Sequence, residues 1–205
     1  IHPIVVHGGG PQIGAMLERL NIKSRFVDGM RVTDAETMDV VEMVLGGAVN
    51  QEIVSLICNH GGRAVGLSGK DDAFLQAKKV AQMKTKKGAL VDPGRVGEIT
   101  EVKTAILQQL MKGGFVPVIA PVAVDAEGRA LNINADFVAS KVAAALEAEK
   151  LVLMTDIEGV RGADGAIVSS LDRAGVQRLV AQGVISGGMI PKVRCALEAL
   201  EGGVK

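Results

Sequence analysis

The sequence predicts an α/β protein, with a mainly parallel open sheet sandwiched between helices in three layers. Three observations carry this. Short β-branched apolar runs alternate with segments of helical period along the whole chain. Glycine turns join strand to helix, most abruptly in Pro3-Ile4-Val5-Val6-His7-Gly8-Gly9-Gly10-Pro11. With 205 residues, 48% apolar and 22% charged, the chain is folded and long enough for one large domain or two small lobes.

Ile4 to Val6 read as a buried strand and Pro11 as the first turn of a helix carrying Ile13, Met16, Leu17 and Leu20. Ser24 to Val32 reads as a hairpin with Asp28-Gly29 at its turn. Thr33 or Asp34 caps the next helix, whose apolar face is Val40, Val41, Val44, Leu45 and Ala48, extended by Ile53, Leu56 and Ile57. Gly46-Gly47 within it suits a bend, an internal crossing or dimer packing. Ala64 to Leu67 is a short strand, and Gly88 to Gly97 is a second hairpin region behind a solvated lysine cluster, Lys78 to Lys87. Ile106, Leu107 and Leu110 mark a helix that ends at Gly113-Gly114, before the strand Val116 to Ala120. Past the turn at Asp125 to Gly128 come a helix with Val138, Val142, Ala145 and Leu146, a buried strand Leu151 to Met154, and two last helices from about 172 and 189. The change near 125 divides one α/β unit, 1–205, into lobes 1–125 and 126–205.

Formal charge is zero and only 2% of residues are aromatic, which argues against nucleic acid and acidic membranes as partners. No apolar run approaches membrane length, since Pro117 and Pro121 break Val116 to Val124. Cys58 and Cys195 lack metal-ligand spacing and read as buried free thiols of a cytoplasmic protein; no metal site is expected.

The glycine triplet at a helix N-terminus collects backbone N–H groups around one point, a place for an anion. It is not a dinucleotide fingerprint, because Ile13 stands where the third glycine belongs. Gly66-Leu67-Ser68-Gly69-Lys70-Asp71 is not a P-loop, because Asp71 replaces the magnesium-binding hydroxyl. In open α/β sheets ligands bind beyond the strands' carboxyl ends, where His7–Gly10, Asn132-Ile133-Asn134-Ala135-Asp136 and Thr155-Asp156 all fall. If extended, Asn132, Asn134 and Asp136 share one side; an Asx cap of the following helix explains Asn134 or Asp136 singly. Lys192, after Gly187-Gly188, is either a surface lysine or one held against phosphate. These parts suit phosphoryl transfer to an acceptor that is already anionic, which needs positioning and positive charge but no general base.

Four motifs in order, His7-Gly8-Gly9-Gly10, Gly29-Met30-Arg31-Val32-Thr33, Asn132 to Asp136 and Gly188-Met189-Ile190-Pro191-Lys192, resemble the amino acid kinase superfamily, and within it the acetylglutamate kinases. The resemblance covers essentially the whole chain. It implies the amino acid kinase fold and ATP-dependent phosphorylation of the γ-carboxylate of N-acetyl-L-glutamate, the second step of arginine biosynthesis. Gly9, Gly10, Arg31 and Asn132 then correspond to substrate-binding positions, with Arg31 on the α-carboxylate. Lys192 and Asp136 correspond to catalytic positions, the aspartate orienting lysines. Thr155, Asp156, Val184, Ile185 and Ser186 correspond to the ATP pocket. The lobe 1–125 would bind acetylglutamate and dimerise, and 126–205 would bind ATP, with Mg2+ held mainly through the phosphates.

Within the family the likeness is to arginine-inhibited members, so L-arginine as inhibitor and a homodimer or hexamer follow from it. The resemblance also leads one to expect a lysine-bearing strand before Ile1 and further strands after Lys205, so that the piece alone binds substrate yet turns over little. Alternatives are another amino acid kinase, of glutamate 5-kinase or carbamate kinase type, a non-catalytic arginine-sensing domain of an acetylglutamate synthase, and a dinucleotide-binding oxidoreductase.

Overall fold

Strand β1 (Val5–Val6) runs straight into the glycine triplet and helix α1 (Gly10–Arg19), where Pro11 supplies the pre-set φ of a first turn. The computed structural model describes all residues except Asp28, Gly29, Lys86, Lys87, Asp156, Ala163 and Lys205. The hairpin of β2 (Arg25–Val27) and β3 (Met30–Val32) is antiparallel, with Phe26 opposite Arg31. Its Asp28-Gly29 turn lies outside the described residues. Asp34 caps α2 (Ala35–Glu42), its carboxylate accepting the Thr37 N–H at 2.8 Å.

Helix α2 continues through a π-helical segment, Met43–Val49, into α3 (Asn50–Asn59). The wider turn rotates the following residues, so Val49 and Asn50 are buried while Ala48, expected on the apolar face, is exposed. For the same reason Leu56 faces outward and Ile53 and Ile57 are only half-buried. A Cβ added at Gly46 or Gly47 would meet nothing within 4 Å, so no internal crossing uses this pair among the described residues. Contrary to the expectation from apolar runs, the helix Ala35–Asn59 is long and apolar enough by composition to cross a membrane, with a mean hydropathy of 1.4. Its Met38, Val40, Val41, Val44, Leu45 and Val49 pack with Ile13 and Leu17 in the core, and 33% of the apolar window is buried.

Next in order are β4 (Ala64–Ser68), β5 (Leu75–Lys79), the short hairpin of β6 (Met83–Lys84) and β7 (Leu90–Val91), and β8 (Gly97–Val102). Helix α4 (Ala105–Lys112), β9 (Val116–Ala120), β10 (Val122–Val124), β11 (Ala130–Asn132) and α5 (Ala135–Ala145) follow. The order β1-β9-β4 is parallel throughout, so the carboxyl ends of these strands share one edge and the glycine triplet leaves from it. A second sheet, β11-β10-β5-β8, is mixed, with β10 parallel to β5 and the outer pairs antiparallel. Its β10–β11 connection is the expected turn, in which the Asp125 carboxylate accepts from the Glu127 and Arg129 N–H groups and from Arg129 Nε. This is the α/β architecture the sequence predicts.

By contacts the chain divides into two units, Ile1–Val138 and Ala139–Lys205. In the second unit, α6 (Arg173–Ala181) and α7 (Met189–Glu201) bury Val176, Leu179 and Ile185 against Val193 and Leu197. Leu151 to Met154 is not a buried strand: Val152 is 70% and Met154 89% exposed, and no described strand pairs with the run. Apolar β-branched residues form a strand only where a neighbour completes the ladder, and Leu151 packs instead with Ala143, Ala199 and Val204. Cys195 is buried as expected, but Cys58 lies on the exposed side of α3.

Candidate functional site

The glycine loop after β1 has each of its carbonyls tied back. His7 Nδ1 lies 2.9 Å from the Gly8 carbonyl, the Ile13 N–H donates to the Gly9 carbonyl at 2.9 Å, and Arg31 Nη2 donates to the Gly10 carbonyl at 3.1 Å. Across a planar trans peptide the C=O and the next N–H point in opposite directions. Tying the Gly8 and Gly9 carbonyls therefore turns the Gly9 and Gly10 N–H groups outward, and neither donates to a partner among the described residues. With the positive end of the α1 dipole behind them, these donors suit a phosphoryl or carboxylate oxygen. The two glycines have different reasons. A Cβ on Gly9 would lie 2.6 Å from Leu45 Cδ2, whereas one on Gly10 would meet nothing within 4 Å.

Arg31, only 9% exposed, projects from β3 toward this loop. It also donates to Ser24 Oγ, and its guanidinium lies 4.6 Å from the centre of the Phe26 ring. Burial lowers its pKa from the ordinary value, yet an arginine keeps its proton, so a fixed cation stands beside the outward N–H groups. Thr33, fully buried, donates to the Arg31 carbonyl at 3.1 Å and accepts from Asn132 Nδ2 at 3.2 Å. The end of β11 is thereby tied to the end of the hairpin.

The alternation expected of Asn132, Asn134 and Asp136 does not hold. Asn132 ends β11, Asn134 caps α5 by accepting the Asp136 N–H at 2.8 Å, and Asp136 is already helical. A helix start places successive residues about 100° apart rather than on alternating sides. Asp136 is half-buried.

Under the first glycine sits a buried polar pair. Asn50 Nδ2 lies 3.1 Å from His7 Nε2 and donates to the Val118 carbonyl at 2.9 Å, joining α3 to β1 and the central strand. His7 and Asn50 are 7% and 1% exposed, and burial lowers the His7 pKa against the smaller opposing effect of its Gly8 contact.

In the second unit a cleft of about 450 Å³ is lined by the apolar side chains of Ile157, Val160, Val184 and Met189, with Ser186 and Arg161 among its polar groups. Apolar walls with a few polar groups suit a planar heterocycle. Three of the residues expected in the nucleotide pocket are thus together here: Val184, Ile185 (buried) and Ser186. Thr155 is exposed near the cleft residues in sequence, and Asp156 lies outside the described residues. Lys192 is half-buried near the start of α7. Among the described residues no group of three or more His, Cys, Asp or Glu could hold a metal ion.

Known proteins share this fold. The model of the amino acid kinase family matches residues 1–205. The chain belongs to the amino acid kinase family. An acetylglutamate kinase of Stutzerimonas stutzeri (strain A1501) is 56% identical over 208 residues, covering all of this chain and 69% of that protein. The solved structure of smu.665 from Streptococcus mutans UA159 superimposes with a TM-score of 0.86 at 30% identity, covering 98% of this chain and 78% of the other. N-acetylglutamate synthase from Neisseria gonorrhoeae, complexed with coenzyme A and N-acetyl-glutamate, shares the fold, with a TM-score of 0.83 at 24% identity over 100% of this chain and 45% of its own.

In this family member the structure brings Gly9, Gly10 and Arg31 together, and ties Asn132 to the same hairpin through Thr33. Three residues around the site are given no role by the sequence: Ser24, Phe26 and Asn50. Thr33, read there as a cap candidate and motif member, instead links the Arg31 carbonyl to Asn132. Asn50 has no local signal, because its partner His7 is 43 positions away and nothing nearby marks a buried amide in an apolar helix.

Proposed function

We propose that the chain is an ATP-dependent kinase that phosphorylates the γ-carboxylate of N-acetyl-L-glutamate, giving N-acetyl-L-glutamyl 5-phosphate and ADP. The observation that carries this is the Arg31–Gly10 contact: a fixed planar cation, suited to a carboxylate, is built onto the loop whose N–H groups face outward. The 56% identity to an acetylglutamate kinase over the whole chain supports the choice of substrate.

On this proposal Gly9 and Gly10 hold the acceptor and the moving phosphoryl group, Arg31 pairs with the α-carboxylate, and Asn132 contacts the substrate. Lys192 neutralises charge on the ATP side, and Asp136 orients catalytic lysines. Residues 1–125 would form the acetylglutamate and dimerisation lobe, and 126–205 the ATP lobe. The second-unit cleft takes the nucleotide base against Val184, Ile185 and Ser186, and Thr155 and Asp156 are assigned to ATP binding on this proposal. Mg2+ would be held mainly through the ATP phosphates. The acceptor is already ionised at neutral pH, so catalysis consists of positioning and charge stabilisation. A homodimer or hexamer, a cytoplasmic setting and inhibition by L-arginine belong to the same proposal.

ADP release measured with acetylglutamate, glutamate and carbamate in turn, each with and without L-arginine, tests it. Of the three acceptors, acetylglutamate is expected to give the fastest ADP release. Preference for either other acceptor would overturn the substrate.

A further inference from the structure

We propose that His7 and Asn50 are positioning residues: Asn50 holds His7 in a single neutral tautomer, and that tautomer aims the Gly9 N–H at the bound anion. The identity of the anion rests on the kinase proposal above; the tautomer does not.

The tautomer follows from what each atom can do. The Val118 carbonyl can only accept, and it lies 2.9 Å from Asn50 Nδ2, so the amide nitrogen must face it. The second hydrogen of the same NH2 points at His7 Nε2, 3.1 Å away, which must then present a lone pair. A neutral imidazole with a bare Nε2 carries its proton on Nδ1, 2.9 Å from the Gly8 carbonyl. Flipping the Asn50 amide would set Oδ1 against the Val118 oxygen, two acceptors face to face. The retained orientation leaves Asn50 Oδ1 buried without a partner among the described residues. An unpaired buried acceptor has a cost, so the two donated bonds must outweigh it. Strand β4 is shaped for this amide, since a Cβ on Gly66 would lie 1.9 Å from Asn50 Oδ1.

The consequence reaches the loop through one peptide plane. With the Gly8 carbonyl drawn to His7 Nδ1–H, the Gly9 N–H must point the other way. A carbonyl released from His7 could turn into the mouth of the loop and repel an anion there. Of the three carbonyl ties in this loop, only the one from His7 depends on which ring nitrogen holds the proton.

Long-range proton–nitrogen NMR of the imidazole rings, with His7 assigned by its loss in His7→Asn, tests the tautomer directly. A protonated Nδ1 and a bare Nε2 are expected; a protonated Nε2 overturns the proposal. Two variants then separate positioning from packing. His7→Asn keeps a donor where Nδ1 sits and loses the acceptor for Asn50. His7→Gln keeps a group at the Nε2 position and loses the donor to Gly8. Positioning predicts that His7→Gln loses on the order of tenfold to a hundredfold in kcat, with the KM for ATP unchanged, while His7→Asn keeps most of its turnover. If turnover instead follows the melting temperatures of the two variants, or the order is reversed, the proposal fails. A parent chain that releases ADP faster with glutamate or carbamate than with acetylglutamate would sink the acetylglutamate reading and leave the NMR result to decide the tautomer.

Discussion

The guanidinium of Arg31 donates to the carbonyl of Gly10 at 3.1 Å and so joins the β2–β3 hairpin to the first turn of α1. One side chain thereby sets the shape of the loop and places a cation beside it. Truncation removes both, and the loss of a charged hydrogen bond costs about 1.5–3 kcal/mol. Arg31→Ala should weaken acetylglutamate binding by that amount and leave ATP affinity nearly unchanged. Isothermal titration with each ligand decides, and an unaltered acetylglutamate affinity would remove Arg31 from the substrate site. Arg31→Lys should not restore binding, because an ammonium cannot reach Gly10, Ser24 and the Phe26 face at once.

Gly9 and Gly10 should separate stability from function. Gly9→Ala drives a methyl group toward Leu45, and overpacking of this kind costs about 1–3 kcal/mol, readable as a lower urea midpoint. Gly10→Ala points into open space and should shift stability by less than about 0.5 kcal/mol. It should nevertheless lose turnover, because the added methyl occupies the approach to the N–H groups. A Gly10→Ala protein with parental kcat would mean that the reacting group sits elsewhere.

Lys192 is expected to act on the transition state more than on bound ATP. Removing one oriented electrostatic contributor commonly costs on the order of a hundredfold to a thousandfold in rate. Lys192→Ala should accordingly lower kcat by that order while the KM for ATP changes little. Weaker ATP binding at normal turnover would make it a peripheral contact.

The buried His7 makes stability fall on mild acidification. Desolvation lowers its pKa in the folded chain below the ordinary 6.5, so the unfolded chain binds the proton more tightly. Its contribution is complete above pH 6.5 and is lost as pH drops through 6.5 toward the folded value. Asp34 and Asp92, held low by hydrogen bonds from Thr37 and Gly94, weaken only in more acidic solution. Urea midpoints at pH 7.5 and 5.5 should therefore fall in the parent chain and fall less in His7→Asn. Equal falls in both would exclude His7 as the source.

By itself the sequence determined what short-range chemistry dictates. The glycine stop after Val6, the helix opened by Pro11, the hairpin within residues 24–32 and a helix cap at Thr33 or Asp34, of which the structure uses Asp34, all rest on residues a few positions apart. Arg31, Gly9 and Gly10 were legible for the same reason, as members of compact motifs. Tertiary structure decided what needs partners from elsewhere. Leu151 to Met154 has the composition of a strand but no described neighbour to pair with. Ala48 lost its place in the core because the helix widens at Met43–Val49, which no periodicity reveals beforehand. The Asn50 amide matters only because the fold brings His7 and Val118 within hydrogen-bonding reach and leaves Gly66 small enough to admit it. Buried polar groups must find partners wherever the chain supplies them, and those partners lie far away in sequence.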